Sequence, residues 1–416
     1  MTDEKPSLFD IQYLKPETIV IGITGSLSSG CTTIAEYLEK DRGFVLRRLS
    51  DNIRSELEKD GFKKPTPKQL QDKGDELRKI NGNDFLVKLV FKGLLEKKPE
   101  KIVIDGIRNP GEIKYLRKFS NFFLIAIDGA REERLKRFRL KTDPKISDQE
   151  FYNDIDQRDS GKNQPHCGQN VTRCIDLADF QIINDASWEN DLTLQDNLFK
   201  KVDLLLDLIN KPGSKEPSTL EMGMHFAYSA SLLSPCLKRQ VGATIARRIE
   251  SEKELAVAIG YNAPPTGIKT CYQRYKDCYR YILKNKAQGK IREKLAGSGF
   301  PVESGIEIFG SFLSDPEFKQ LDYCQAVHAE ESAILQIAKL GGTSLEGTNL
   351  YTTTFPCLMC AKKIIQTGIS KIVYNEAYPS IEAKELLSGA LGNENLVRFE
   401  GVKSLAFFKL FQPVNP

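Results

Sequence analysis

His328, Glu330, Cys357 and Cys360 are the residues of this chain whose types and spacing most directly specify a reaction. His328-Ala329-Glu330 is followed by Pro356-Cys357-Leu358-Met359-Cys360, which sets one imidazole and two thiols at spacings that suit a tetrahedral zinc. Three protein ligands leave the fourth position open, and zinc brings the pKa of a water there toward neutrality. Glu330 lies outside the ligand set, where a carboxylate can carry a proton from that water to a substrate and on to a leaving group. His328 and Cys357 each stand at the start of a helical run, so two helix N-termini point at the metal and favour thiolates. A structural zinc or a C-x-x-C redox pair would use the same cysteines. Glu330 and the intervening apolar run Leu350 to Thr353 weigh toward catalysis.

A second constellation lies near the amino terminus. The β-rich run Ile19 to Thr24 enters Gly25-Ser-Leu-Ser-Ser-Gly-Cys-Thr-Thr33 and then a helical pattern, the context of a phosphate-binding P-loop. Gly25, Ser26, Ser29, Gly30, Cys31, Thr32 and Thr33 are expected to cradle phosphates, with Thr32 placed to meet magnesium. Cys31 stands where the G-x-x-x-x-G-K-[ST] pattern has lysine, which removes the charge that steadies a transferring phosphoryl group. Nucleotide binding in a sensing or regulatory role is therefore expected ahead of kinase turnover. Asp51, Arg54, Asp105, Arg108, and Arg131 with Arg134 in a lid-like position are the accessory residues. The basic run 131–141 reads equally as a solvated helix face.

These residues need two scaffolds. A chain of 416 residues exceeds the usual single domain, and 40% apolar with 28% charged residues is the composition of globular cores. The formal charge of +4, without an evident aromatic-and-basic stripe, counts against a nucleic-acid binder. Turn formers at 211–219 separate two α/β patterns. The expected organisation is an N-terminal tail (1–18), a P-loop domain (19–210), a linker (211–219) and a zinc domain (220–416). In the first, strands alternate with helices as in a parallel three-layer sheet; the second repeats an α/β/α pattern around a long insert, 263–323. Nine cysteines without an export signal disfavour disulfides, and no apolar run reaches membrane-spanning length, so a cytoplasmic protein is expected.

H-x-E with P-C-x-x-C is the signature of zinc-dependent nucleobase deaminases, which attack C4 of cytosine. The segment from about Met222 to Glu400 resembles the deoxycytidylate deaminase family within the cytidine deaminase superfamily. The resemblance is carried by Ser234-Pro-Cys-Leu-Lys-Arg-Gln-Val-Gly-Ala243, Gly260-Tyr-Asn-Ala-Pro-Pro-Thr-Gly267, Cys324-Gln-Ala-Val-His-Ala-Glu-Glu-Ser-Ala-Ile334 and Tyr351-Thr-Thr-Thr-Phe-Pro-Cys-Leu-Met-Cys360. It implies His328, Cys357 and Cys360 as zinc ligands and Glu330 as the proton shuttle. It also implies Asn262, Tyr378 and Ala329 as substrate contacts. Cys236, Cys271, Cys278 and Cys324 can supply a second, structural zinc by the same resemblance, or remain buried thiols. The amino-terminal half resembles deoxynucleoside monophosphate kinases and dephospho-coenzyme-A kinases. In that order the two halves are similar to bacterial anti-phage deoxycytidylate deaminases, which deaminate free dCTP and dCMP. The resemblance implies zinc and magnesium as cofactors, free deoxycytidine nucleotides as substrates and a homo-oligomer, hexameric in many relatives. A housekeeping dCMP deaminase with nucleotide effectors is the alternative, followed by a tRNA or single-stranded DNA deaminase and a non-enzymatic nucleotide sensor.

Overall fold

The computed structural model describes residues 15, 17–92, 94, 99–161, 164–185, 192–250, 253–296, 298–312, 324–341, 343–375 and 381–413. Two compact units emerge, and the chain passes through the first twice: Met1–Glu216 with Glu400–Pro416 form one, Pro217–Phe399 the other.

The first unit is built on β1 (Ile19–Gly25), β2 (Val45–Arg48), β3 (Lys101–Asp105), β4 (Phe122–Asp128) and β5 (Phe180–Ile183), all parallel in the order β5-β4-β1-β3-β2. Alternation along these strands explains the layers. Val20, Ile102, Ile104, Leu124 and Ala126 enter one apolar core with helices Leu49–Lys59 and Phe85–Lys92. Ile21, Ile23, Val103, Phe123, Ile125 and Ile127 enter the opposite core with helices Cys31–Arg42 and Leu192–Asn210. Successive side chains point to opposite faces, so a strand apolar at every position needs helices on both sides. The strand order reverses at β1, and such a switch point opens a crevice beyond the strand's carboxyl end. The loop 25–30 occupies that end.

The second unit contains β6 (Gly242–Glu250), β7 (Lys253–Tyr261), β8 (Asn349–Thr352), β9 (Lys371–Tyr374) and β10 (Leu396–Arg398) in the order β10-β9-β8-β6-β7. β6 is antiparallel to both β7 and β8, while β8, β9 and β10 run parallel. Helices Ala329–Leu340, Leu358–Gln366 and Ile381–Leu391 pack on one face around Ala243, Ile245, Leu350 and Ile372. Helix Thr219–Ser231 covers the other face through Met224 and Ala227 against Tyr351 and Val373. Its start is fixed by a capping box between Ser218 and Glu221.

Two features differ from the sequence reading. The segment after Phe399, assigned there to the zinc domain, re-enters the first unit: β11 (Gly401–Val402) pairs antiparallel with β5, and Ala406 and Leu410 complete the second of its cores. A two-residue edge strand carries too little pattern to be recognised. The insert also presents an aromatic-and-basic surface that the sequence reading did not find. Helix Tyr279–Leu295 has no buried residue and carries Arg280, Lys284, Lys286, Lys290, Arg292 and Lys294 beside Tyr279 and Tyr281. No helix among the described residues is long and apolar enough to cross a membrane.

Candidate metal centre and phosphate-binding loop

β7 and β8 hold the two helices that build the metal centre. Gly260 on β7 lets helix Ala329–Leu340 lie directly on the strand, since a Cβ there would stand 2.1 Å from Ala329 O and 2.4 Å from Ala333 N. His328 is the extended N-cap residue of this helix, and Cys357 is the extended N-cap residue of helix Leu358–Gln366. Their side chains converge. Cys357 Sγ lies 3.3 Å and Cys360 Sγ 3.4 Å from His328 Nδ1. All three ligand atoms fall within 4.8 Å of one another. Bond lengths to zinc of about 2.3 Å for sulfur and 2.05 Å for nitrogen at a tetrahedral angle place S and N about 3.6 Å apart, so the donor set fits that ion. Among the described residues this is the one group of three such donors so placed.

Electrostatics support a thiolate. The Cys360 side chain and the His328 ring hydrogen-bond Cys357 and lower its pKa to about 4, against the opposing effect of burial. The same contact, with burial, pushes the Cys360 thiol up. The bond to Cys357 raises the His328 pKa. Glu330 is 3% exposed, and its burial raises the pKa of its carboxyl group. Thr352 Oγ1 donates to its Oε1 at 3.4 Å, and Cys360 Sγ lies 3.6 Å from its Oε2. Thr352, at the end of β8, is a member of this site that the sequence reading missed; its place in T-T-T between two motifs gave no separate signal.

The other anticipated residues are placed as follows. Ala329 is fully buried among core residues, leaving its backbone as what it can offer a ligand. Asn262 clasps a loop: its Oδ1 accepts from Val241 N and Ser234 Oγ, both at 2.7 Å, and its Nδ2 donates to Arg239 O at 2.9 Å. Tyr378 lies outside the described residues. Cys236, Cys271, Cys278 and Cys324 are half-buried free thiols. Burial first, and then the neighbouring Cys236 and Cys278 thiols, raise the Cys324 pKa. That brings three of the four into one neighbourhood. Among the described residues they do not form a set at ligand spacing.

At the loop after β1, Ser28 (φ 62°) and Gly30 (φ 110°) take left-handed backbone, which bends the chain into helix Cys31–Arg42. Alternating left-handed residues turn successive N–H groups inward as an anion nest. Thr32 Oγ1 donates to Asp105 Oδ2 at 3.1 Å, joining the first turn of the helix to the carboxylate at the end of β3. Cys31, half-buried, lies 3.5 Å from Ser29 Oγ, and burial and the Asp105 carboxylate push its thiol up to about 12. It is neutral, and residues 25–33 contain no lysine or arginine, while the Arg108 charge acts on the thiol from outside the loop.

Several carboxylates surround the loop. Ser26 Oγ donates to Asp128 at 2.8 Å. Leu27 N donates to Asp159 Oδ2 at 3.1 Å, and Arg108 pairs with the same carboxylate. Arg134 is fully buried, bonding Asp156 at 2.5 Å, Leu27 O at 3.2 Å and Gly129 O at 3.1 Å. Arg131 stacks on the Tyr152 ring at 4.6 Å, with Nε 3.5 Å from Asp156. The basic run is thus divided: its inward arginines brace the loop, and Leu140 and Lys141 face solvent. Asp51 and Arg54 are exposed on helix Leu49–Lys59, and among the described residues no hydrogen bond joins them to the loop. Asp128, Asp156 and Asp159 were not singled out from the sequence; in a chain with 56 acidic residues only burial distinguishes them.

The chain is similar to several known proteins. Residues 217–376 match the family described as cytidine and deoxycytidylate deaminase zinc-binding region. Deoxycytidylate deaminase of Schizosaccharomyces pombe is 29% identical over 361 residues, 86% of this chain and 90% of that protein. A UPF0200 protein of Methanocaldococcus jannaschii is 30% identical over 189 residues, 44% of this chain and 90% of that protein. Among solved structures, the dCMP deaminase of cyanophage S-TIM5 in complex with dCMP and dUMP is 22% identical with a TM-score of 0.27, covering 44% of this chain and 97% of that one.

Proposed function

We propose that this chain, which belongs to the UPF0200 family over 189 of its residues and carries the deaminase zinc-binding region over residues 217–376, couples a nucleotide-responsive P-loop unit to a deoxycytidine nucleotide deaminase. The chain is a hydrolase that deaminates deoxycytidine nucleotides. The observation that carries the reading is the buried carboxylate of Glu330 beside a His328, Cys357 and Cys360 donor set at zinc spacing.

Zinc held there supplies a Lewis acid that ionises water near neutral pH. Glu330, outside the ligand set, moves two protons in turn: it takes the first from the water and gives it to the ring nitrogen next to C4, where the uracil keeps it, then takes the second from the hydroxyl added at C4 and gives it to the amino group that leaves as ammonia. Its raised pKa suits that exchange, because a carboxyl group that titrates nearer neutrality both accepts and releases a proton readily. Thr352 steadies the carboxylate, which is itself buried.

Both dCTP and dCMP are proposed substrates, and depletion of dCTP during phage infection is the proposed role. The first unit binds a nucleotide with its phosphates on residues 25–33, magnesium beside Thr32 and Asp105, and Cys31 in place of a transferring lysine. A homo-oligomer is the proposed assembly. A housekeeping dCMP deaminase under nucleotide control shares every residue named. A polynucleotide substrate is a further reading because the Tyr279–Leu295 helix sets six basic residues beside the exposed Tyr281.

The decisive experiment offers dCMP, dCTP, CTP and a single-stranded oligonucleotide to the zinc-loaded protein, with Glu330→Ala as the blank. Conversion of dCTP supports the pool-depleting enzyme. Conversion of dCMP alone favours the housekeeping reading, and deamination of the oligonucleotide alone overturns both. In parallel, Gly30→Val should weaken ATP binding while leaving basal deamination in place.

A further inference from the structure

Glu400 is where the chain returns from the second unit to the first, and one oxygen of its carboxylate is held on arrival. Its Oε2 accepts from Ile183 N at 2.8 Å and from Lys201 Nζ at 2.7 Å. Ile183 and Lys201 line a cavity of about 530 Å³ at the carboxyl end of β5, together with Asn184, Asp185, Lys200 and Leu204. Asn184 joins that cavity to the P-loop: its Nδ2 donates to Ser29 O at 2.6 Å, and its carbonyl accepts from Arg137 at 2.9 Å. A nucleotide with phosphates on the loop therefore has room beside it for its remaining groups, and pocket volumes of about 300–1,000 Å³ are usual for such ligands.

On the other side of the same peptide bond lies the zinc domain. Phe399 is fully buried there, and its N–H donates to Tyr374 O at 2.7 Å. The Tyr374 ring meets Phe355 edge to face at 4.7 Å, and Phe355 stands two residues before Cys357. A continuous series of bonds and contacts thus runs from Ser29 through Asn184, Ile183, Glu400, Phe399, Tyr374 and Phe355 to a zinc ligand.

We propose that the Lys201–Glu400 pair is the switch through which a nucleotide at the P-loop unit changes the deamination rate. Lys201 Nζ donates to Glu400 Oε2 at 2.7 Å and to Ile183 O at 3.3 Å, and an anion in the cavity is the competitor that gives the device its second state. Without ligand it holds Glu400; an anionic ligand in the cavity draws the ammonium away and leaves Glu400 bonded to Ile183 N alone. Release loosens the Glu400–Val402 segment against β5, and the strain passes to Phe399 and Tyr374 along the backbone. Such an element is what coupling between distant sites requires, since both ligands must bias one equilibrium. This inference rests on the reading of the first unit as a nucleotide binder.

The test uses the full-length, zinc-loaded protein, with ATP and dTTP as probes that lack a cytosine. ATP or dTTP binding to the wild type, followed calorimetrically, should change dCMP deamination by about fivefold or more. Glu400→Gln should bind the same nucleotide within about threefold, keep its basal rate, and respond less than twofold. A Glu400→Gln protein that binds nucleotide and responds like the wild type overturns the switch while leaving the P-loop reading intact. No binding of either probe to the wild type overturns both. Should Glu400→Gln fail to fold, Lys201→Gln removes the same pair from the other side, and a full response in that variant again overturns the proposal.

Discussion

Gly260→Ala tests whether the contact between β7 and helix Ala329–Leu340 sets the catalytic geometry. The added Cβ would meet Ala329 O at 2.1 Å, Ala333 N at 2.4 Å and Ala333 Cα at 3.0 Å, all backbone atoms that no rotamer change can move aside. A tolerable carbon–oxygen approach is about 3.3 Å, so the helix must retreat by about 1.2 Å. That helix carries Glu330 in its first turn and His328 at its cap, while Cys357 and Cys360 belong to another helix and stay behind. Displacement of about 1 Å in a reacting group costs on the order of 100-fold in rate, and overpacking of this kind costs about 1–3 kcal/mol of stability. Turnover of dCMP by the zinc-loaded variant should fall about 100-fold with secondary structure retained, and circular dichroism should show a lowered melting temperature. A Gly260→Ala enzyme with wild-type turnover and melting would refute the reasoning, because the helix would then have no fixed distance from the strand.

The remaining predictions address metal, core and pH. Cys357→Ala should lose bound zinc and deamination together, as measured by elemental analysis and ammonia release; an active, zinc-replete variant would remove Cys357 from the ligand set. Arg134→Met strands the Asp156 carboxylate, which is 1% exposed, with only the longer Arg131 contact left, and should destabilise the first unit by about 3 kcal/mol. Calorimetric melting indistinguishable from wild type would contradict that. Lys403 has its pKa lowered to about 8 by burial, so between about 8 and its unfolded value near 10.4 the unfolded chain binds the extra proton. Stability of the first unit should therefore rise with pH across that window, by about 3 kcal/mol in all, and denaturant titrations of Lys403→Met should lack the rise.

The metal centre was legible because its signals are local. His328 and Glu330 lie on one turn and Cys357 and Cys360 on another, each beside a helix start, so spacing alone reports their shared direction. The strand, turn and helix around residues 25–33 were legible for the same reason, with Cys31 the visible departure from the pattern. Residues that act across the chain were not. Asp159 reaches Leu27 over 132 positions, and nothing in Arg158-Asp159-Ser160 separates it from a solvated helix. The return of Gly401–Val402 to β5 depends on an edge that exists only after the sheet has formed. Arg131 and Arg134 were read with the alternatives of lid and solvent face, and burial of Arg134 beside Asp156 is a tertiary fact. The basic helix of the insert was hidden by averaging: a net charge of +4 over 416 residues conceals six cations on seventeen.

The division of the first unit between residues 1–216 and 400–416 has a consequence for how the protein is made. During synthesis the first five strands leave the ribosome long before the segment that covers β5, and the whole zinc domain must be translated in between. Until then β5 presents an unpaired edge, and the apolar surface later met by Ala406 and Leu410 is bare. Exposed edges and apolar faces of this kind invite association with other chains. A nascent chain halted near residue 390 would carry its deaminase signature complete and its other unit unfinished, so a stop codon late in the reading frame would act first on solubility and only then on chemistry.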